Sequence, residues 1–221
     1  MTRLGLTQRV EVIEEYGERR DCLDQTWTNL LEDWGYQPVP LPNTIDRPME
    51  YLDSIALDGL ILTSGNDLTH LDGATQTAPE RDQFEQAALD WAIDQNIPTV
   101  GVCRGIEFLN DYFGGTLSTV EDHVATEHPV SLETSTLQVL EKDEIGFPDE
   151  IQVNSYHDYG ITRGDIAEDL VVLATAPDGT VEALTHPGYP LLGIMWHPER
   201  DTPSTELDHK LFDALFASVD Q

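Results

Sequence analysis

Short apolar runs alternate with amphipathic helical patterns through the first half of the chain, and this alternation constrains the fold most. Strand-like runs occupy 3–8, 57–67 and 97–102, whereas 20–35 and 79–96 have the three- and four-residue spacing of helices. A repeated strand-helix order is typical of a parallel sheet, because crossover helices join parallel strands. The sequence therefore predicts an α/β protein with a doubly wound, mostly parallel sheet and helices on both faces.

The pattern changes at about residue 116, where short strand-like runs follow one another without helical patterns between them. These runs cover 129–141, 150–158, 170–186 and 189–197. Within the third run, the segment APDGT is typical of a hairpin turn. A last helical pattern follows over 204–219. We expect one domain over residues 1–221, in which the short strands form a small β-rich insertion.

The chain is strongly acidic, with 42 Asp and Glu residues against 11 Lys and Arg residues and a formal net charge of −31. This composition argues against nucleic acid as a partner, because phosphate contacts need clustered basic side chains. An acidic coat of this kind suits a high-salt cytosol, where ions screen its self-repulsion. The charged N-terminal residues lack the continuous apolar core of a signal peptide or membrane span, so we expect a cytoplasmic protein without membrane contact.

The chain has two cysteines, Cys22 and Cys103, and only Cys103 lies in a motif. The segment PTVGVCRGIEFLN runs from a buried strand through Cys103 into a helical pattern. At such a bend the side chain projects above the carboxyl end of the sheet, and Gly101 and Gly105 allow the close backbone approach that the bend needs. The helix N-terminus also favours thiolate over thiol. Cys103 is therefore a candidate nucleophile, with a small buried hydrophobic side chain as the alternative.

A nucleophilic thiol needs a base, and the segment LLGIMWHPER supplies a candidate in His197. Pro198 disfavours helix at the preceding residue, and in an extended chain residues two apart point the same way. Glu199 is therefore predicted to lie beside the imidazole and to hold it in the tautomer that accepts a proton from the thiol. The alternative is a structural histidine at a strand end.

An oxyanion formed in the reaction needs backbone donors, and the strand end at DGLILTSGND offers them. We predict the amide of Gly65, paired with the amide of Arg104, as the oxyanion donors. The alternative for Gly65 is an ordinary glycine turn.

The motifs TSGND, GVCRG and WHPE, in this order and at these separations, resemble the class I glutamine amidotransferase superfamily, and specifically its γ-glutamyl hydrolase (peptidase C26) branch. The resemblance implies a γ-glutamyl thioester on Cys103, with His197 as base and then acid and Glu199 as the residue that orients it. It also implies the doubly wound fold. The segment VNSYHDYG is similar to a substrate-side segment of that family, so Ser155 and His157 become candidate pocket residues, with a ligand-free hairpin edge as the alternative.

The segments GLTQR, ERRDCLDQTW and SGNDL resemble a narrower group, the γ-glutamyl-CDP-amidate hydrolases. Four of the nine arginines also fall within the first twenty residues of a chain with little positive charge: Arg3, Arg9, Arg19 and Arg20. Arg9 and Arg19 are therefore candidate phosphate-binding residues, because a guanidinium group binds phosphate through two parallel hydrogen bonds. Salt bridges to the neighbouring acidic residues are the alternative.

Two positions depart from the family pattern. Ser64 stands where many relatives have a glycine, and Glu107 stands where glutamine is usual, one helical turn beyond Cys103. An ionised glutamate only accepts hydrogen bonds, so Glu107 is predicted to repel an α-carboxylate and to favour an α-ammonium group. The alternative is that Glu107 belongs to the acidic surface.

Three classes of function remain open. The first is a hydrolase of a small-molecule γ-glutamyl amide that needs no cofactor and no metal. The second is a glutaminase subunit that passes ammonia to a separate synthetase, and the third is a non-catalytic binding protein on the same fold. A synthetase or a second copy of the chain, as a homodimer, are the protein partners left open.

Overall fold

The computed structural model describes residues 1–133, 148–200 and 204–216. The central sheet has nine strands: β1 (Arg3–Leu6), β4 (Gln37–Pro40), β5 (Gly59–Leu62), β6 (Thr99–Val102), β8 (Val124–Leu132), β9 (Glu150–Tyr156), β11 (Val171–Thr175), β12 (Val181–Thr185) and β13 (Leu191–Ile194). Their order across the sheet is β4-β1-β5-β6-β13-β12-β11-β8-β9. Two small sheets pair β2 (Arg9–Ile13) with β3 (Glu18–Cys22) and β7 (Ser118–Thr119) with β10 (Tyr159–Gly160).

The five strands from β4 to β13 pair in parallel, and the remaining four pair antiparallel. The helices are α1 (Gln25–Asp33), α2 (Pro48–Ile55), α3 (Pro79–Asp94), α4 (Arg104–Tyr112) and α5 (Thr205–Phe216). Asp24 caps α1, since its side chain accepts a hydrogen bond from the Thr26 amide. No helix among the residues described is both long and apolar enough to cross a membrane.

Two hydrophobic clusters cover the sheet, one on each face. Leu31 of α1 and Phe212 of α5 pack in the first cluster. Leu52 of α2, Leu89 of α3 and Ile106 of α4 pack in the second. Neighbouring strand residues alternate between the clusters, as the pleat requires, because successive side chains point to opposite faces. The predicted doubly wound sheet with helices on both faces is confirmed.

Several elements outside the parallel strands were predicted less well from the sequence. The segment 20–22 was predicted as part of a helix, but it belongs to β3, which pairs with β2 as a hairpin. Helix α2 was not predicted. The short strands after residue 116 were expected as a small β-rich insertion, and most of them are antiparallel strands that extend the central sheet. The APDGT hairpin is confirmed between β11 and β12, whereas part of the strand predicted over 129–141 lies outside the described residues.

Candidate active site

Cys103 occupies a strained bend between β6 and α4. Its backbone has φ 53° and ψ −110°, a conformation that non-glycine residues rarely adopt. The bend is possible because the helix packs very closely on the strands. A side chain at Gly105 would collide with the carbonyl oxygen of Leu62, and a Cβ at Gly101 would lie 2.6 Å from the backbone of Gly105. The two glycines therefore allow the turn that carries the thiol.

The pKa of Cys103 is shifted in the direction opposite to the sequence-based expectation. Burial raises the pKa of the thiol well above its ordinary value, and the Glu107 and Glu199 carboxylates add to the rise. A hydrogen bond from the Arg104 amide acts in the opposite, expected direction, but it is outweighed. The helix N-terminus therefore does not by itself lower the pKa of this thiol, which favours attack assisted by a base.

His197 and Glu199 follow β13 and are both buried. Nδ1 of His197 lies 2.8 Å from Oε1 of Glu199, so the two side chains lie side by side as predicted. The backbone here is a turn rather than the predicted extended chain, since the Arg200 amide donates to the His197 carbonyl oxygen at 3.2 Å. If Nδ1 carries the proton, Nε2 presents its lone pair. Nε2 is buried and has no hydrogen-bond partner within the described part of the chain. This is the arrangement of a general base whose tautomer is set by a carboxylate.

A buried arginine holds the loop after β5 in place. Gly65 has φ +82°, which a residue with a side chain rarely adopts. Arg81 of α3 is fully buried and donates from its guanidinium group to the carbonyl oxygens of Thr63, Ser64 and Gly65. Donation to these carbonyl oxygens fixes the peptide planes of the loop that carries the predicted oxyanion donor Gly65.

The side chain of Arg104 has a different role from its amide. The guanidinium group is 2% exposed and forms ion pairs with Asp82 and Glu85 of α3. Glu85 also accepts a hydrogen bond from Arg81 Nε at 2.9 Å. The ion-pair network ties α4 to α3 beneath the site, while the Arg104 amide remains directed at the Cys103 sulfur.

One cavity of about 400 Å³ brings most of the predicted site residues together. Its lining includes Cys103, His197, Gly65 and Arg104, but not Glu199, which lies behind the imidazole. Polar groups dominate the wall. It is completed by Arg9, Ser64, Asn66, Asp67, Gly73, Thr75, Gln76, Glu107, Tyr156, His157, Asp158, Tyr159 and Arg200.

Glu107 lines this cavity and is 5% exposed, so it does not belong to the solvated surface. Burial raises the pKa of its carboxyl group to about 7, against the opposing effect of His157 and Arg104. His157 lines the same cavity and is also buried. The cavity therefore contains an acid and an imidazole in addition to the Cys103 and His197 pair.

Ser155 does not reach the cavity, contrary to the sequence-based expectation. Its hydroxyl is fully buried and donates to the carbonyl oxygen of His123 at 2.6 Å. The strand explains the difference, because Ser155 lies on β9 and its neighbours Asn154 and Tyr156 point to the other face. Asn154, which sequence reasoning missed, holds the backbone of His197 instead.

Only one of the two predicted phosphate-binding arginines lies at the cavity. Arg9 lines it and pairs with Glu11 at 2.7 Å. Arg19 is outside the lining and pairs with Glu80 at 2.6 Å, because it projects from the β2–β3 hairpin towards α3. Sequence reasoning missed Arg200, which lines the cavity with its guanidinium group 4.1 Å from the centre of the Tyr156 ring. The signal that the sequence offered for Arg200 was its position directly after Glu199.

Comparison with known proteins identifies the family. The model of the family described as Peptidase C26 matches residues 4–199. The chain belongs to the peptidase C26 family. The matched segment contains every residue of the candidate active site except Arg200, and the family supports a hydrolase.

The relatives of this peptidase C26 chain include named hydrolases. It is 31% identical to a gamma-glutamyl-CDP-amidate hydrolase of Campylobacter jejuni over 90% of each chain. It is 28% identical to a gamma-glutamyl-gamma-aminobutyrate hydrolase of Escherichia coli O157:H7, over 91% of this chain and 88% of the relative. A glutamine amidotransferase from Thermotoga maritima shares the fold, with a TM-score of 0.65, 15% identity, and coverage of 99% of this chain and 90% of that structure. The resemblance read from the motifs is confirmed.

Proposed function

We propose that the protein hydrolyses a γ-glutamyl amide through a thioester on Cys103. The observation that carries the proposal is the placement of Cys103, at a strained bend, in one cavity with His197, whose Nδ1 is paired with Glu199. A strained nucleophile, an oriented base and two backbone donors are what acyl transfer needs. The choice of a γ-glutamyl group as the substrate's acyl part rests on the named hydrolases among the relatives.

In the first half of the reaction, the Cys103 sulfur attacks the carbonyl carbon of the γ-amide. His197 Nε2 takes the thiol proton in the same step, since the raised pKa of Cys103 disfavours a preformed thiolate. The amides of Gly65 and Arg104 stabilise the resulting oxyanion. When the carbon–nitrogen bond breaks, His197 donates its proton to the leaving nitrogen, which departs as the neutral amine.

In the second half, water attacks the thioester carbon and His197 removes a proton from that water. The carbon–sulfur bond then breaks, and the sulfur recovers the proton from His197. The products are glutamate and the amine, and no electrons are exchanged with a cofactor. Glu199 stays paired with His197 throughout and stabilises the imidazolium that forms twice per turnover.

The cavity wall supports an anionic leaving group. Arg9 and Arg200 both line the wall, and guanidinium groups bind phosphate oxygens strongly. A chain with a net charge of −31 otherwise repels a phosphorylated substrate, so two arginines at the cavity are a local exception. The substrate class that fits is a γ-glutamyl amide of a phosphorylated group, such as a γ-glutamyl phosphoramidate of a cytidine nucleotide.

Glu107 and His157 are placed to read the glutamyl end. Glu107 lies one helical turn beyond Cys103 and faces the same cavity. In its ionised form it attracts the α-ammonium group and repels the α-carboxylate of the glutamyl unit. His157, which follows β9, lines the same wall next to Glu107.

The test is to assay the purified protein alone, in high salt, for glutamate release. The substrates are glutamine, γ-glutamyl-γ-aminobutyrate and a γ-glutamyl phosphoramidate of a cytidine nucleotide. Acid quenching should trap a γ-glutamyl adduct on the peptide that contains Cys103, and the His197→Ala variant should not form it. Cys22→Ala is the matched control, and it should retain full activity.

Three results would contradict the proposal. Turnover by Cys103→Ala excludes the thiol as nucleophile. An adduct on Cys22 excludes the assignment of the site. Glutamate release only in the presence of an added synthetase favours the glutaminase subunit instead.

A further inference from the structure

A second polar cluster lies behind the wall of the cavity, between the antiparallel strands. It consists of His123 before β8, His128 within β8, His157 after β9 and Glu182 within β12. One ligand atom from each residue lies within 4.8 Å of the other three. Glu182 is fully buried, and His128 is the most exposed of the four, at 14% of its side chain.

The outer nitrogen of each imidazole has an acceptor beside it. His123 Nε2 lies 2.9 Å from Asp178 Oδ2, and His157 Nδ1 lies 2.7 Å from the carbonyl oxygen of Tyr159. His128 Nδ1 lies 3.2 Å from the carbonyl oxygen of Pro129. A carbonyl oxygen or a carboxylate only accepts, so each outer nitrogen carries the hydrogen. The inner nitrogens of the neutral rings therefore present lone pairs.

The inner atoms face one another without a donor between them. His123 Nδ1, His128 Nε2, His157 Nε2 and both carboxylate oxygens of Glu182 are buried, and none has a hydrogen-bond partner among the described residues. From Glu182 Oε1 the three inner nitrogens are 3.5, 3.8 and 3.7 Å away, for His123, His128 and His157 in turn. Buried acceptors that face one another are costly unless a cation or additional protons lie between them.

We propose that these four residues bind a divalent transition-metal ion of the zinc class. A tetrahedral ion with bonds of about 2.1 Å keeps its ligands about 3.4 Å apart, close to the separations from Glu182. Imidazole with one carboxylate suits zinc, whereas calcium and magnesium prefer oxygen ligands alone. The Asp178 and carbonyl contacts on the outer nitrogens are the supporting contacts that metal-binding histidines usually make.

The ion has a structural role in this proposal. Four protein ligands complete a tetrahedral shell and leave no position for substrate. Two ligands lie within β8 and β12, and the other two lie directly before β8 and directly after β9, so the ion ties this antiparallel part of the sheet together. His157 also lines the active-site cavity, so the ion fixes one wall of that cavity. No metal was expected from the sequence, and this site is separate from the chemistry of Cys103.

The test measures metal content rather than activity, so its outcome is independent of the proposed hydrolysis. Untagged protein is stripped with a chelator in high-salt buffer, titrated with zinc against a chromophoric competitor, and analysed by elemental mass spectrometry. We expect one tightly bound zinc per chain and a higher Tm. Cobalt in place of zinc should give the strong visible absorption of a tetrahedral site.

Variants separate this site from weak binding by surface carboxylates. Glu182→Gln and His128→Gln should lower zinc affinity by at least about 100-fold, and Asp178→Asn by about 10- to 100-fold. Asp178 is half exposed, so its variant should fold even if the buried ligand variants do not. His70→Gln and Asp169→Asn, at exposed positions, are the matched controls and should bind as the wild type does. Less than one tight zinc per wild-type chain, or equal affinity in Asp178→Asn and its control, would overturn the proposal.

Discussion

The side-chain amide of Asn154 holds the backbone of His197 from both sides. Oδ1 of Asn154 accepts the His197 N–H at 2.8 Å, and Nδ2 donates to the His197 carbonyl oxygen at 2.9 Å. The two hydrogen bonds connect β9 to the end of β13. They set the position of the imidazole relative to Cys103 before any substrate is bound.

We therefore expect Asn154→Ala to lower kcat by about 10- to 100-fold while KM changes little, because a misplaced base slows proton transfer without removing substrate contacts. Steady-state kinetics on a γ-glutamyl amide measures both constants. Gln152→Ala, at an exposed position on the same strand, is the control and should leave kcat unchanged. A loss confined to KM would show that Asn154 acts on binding.

The arginines give a prediction about the leaving group. Arg9→Gln and Arg200→Gln should each lower kcat/KM for a nucleotide-linked γ-glutamyl amide by about ten- to a hundred-fold, since a charge-assisted hydrogen bond contributes about 1.5–3 kcal/mol. Hydrolysis of a small neutral γ-glutamyl amide should change much less. Arg19→Gln is the control, because Arg19 pairs with Glu80 outside the cavity. Equal losses on both substrates would show that the arginines have a structural role and do not bind the leaving group.

The parts of the site that the sequence predicts share a local cause. The bend at Cys103 follows from a strand that runs into a helix between two glycines, and the His197–Glu199 pair follows from a separation of only two residues across Pro198. Both depend on residues close together in the chain. The hydrogen bonds of Asn154, the Arg19–Glu80 pair and the cluster around Glu182 depend on side-chain contacts between elements far apart in the chain. Periodicity does not specify those contacts, so these features were missed or misplaced.

The direction of the Cys103 pKa shift could not be predicted from the local sequence for the same reason. The helix N-terminus is visible in the sequence, and its effect is present through the Arg104 amide. Burial and the two nearby carboxylates outweigh it, and burial depends on the whole fold. A motif therefore identifies the nucleophile better than it identifies the protonation state.

The ion-pair network beneath the site gives a prediction about stability. Glu85 is fully buried between Arg81 and Arg104, which are both buried as well. Glu85→Gln should lower the free energy of unfolding by about 3–5 kcal/mol, because it leaves buried guanidinium charge without its partner. Urea unfolding at fixed high salt measures the difference. The exposed pair of Glu206 and Lys210 is the control, and Glu206→Gln should cost less than about 1 kcal/mol. Similar costs for the two variants would contradict a buried network.

Glu107 links the stability of the protein to pH. Burial raises the pKa of its carboxyl group from 4.5 to about 7 in the folded state. The folded state therefore binds the proton more tightly than the unfolded state does. The stabilisation from the protonated form is fully present below about pH 4.5 and is lost as the pH rises through about 7. Glu107→Gln removes this dependence. The free energy of unfolding of the variant, relative to that of the wild type, should therefore rise by about 3 kcal/mol between pH 4.5 and pH 8. Urea unfolding across that range, in a fixed high-salt buffer, measures the gap.

The matched control for Glu107 is Glu121→Gln, which removes one negative charge at an exposed position. Both variants remove one negative charge and so reduce the general repulsion among the acidic residues equally. Glu121→Gln should therefore leave the shape of the profile of stability against pH as it is in the wild type. The same Glu107→Gln protein should also change the preference between free glutamine and α-substituted γ-glutamyl amides, since a neutral amide no longer repels an α-carboxylate. A gap between Glu107→Gln and the wild type that stays constant with pH, together with unchanged substrate preference, would show that Glu107 neither titrates near pH 7 nor contacts the substrate.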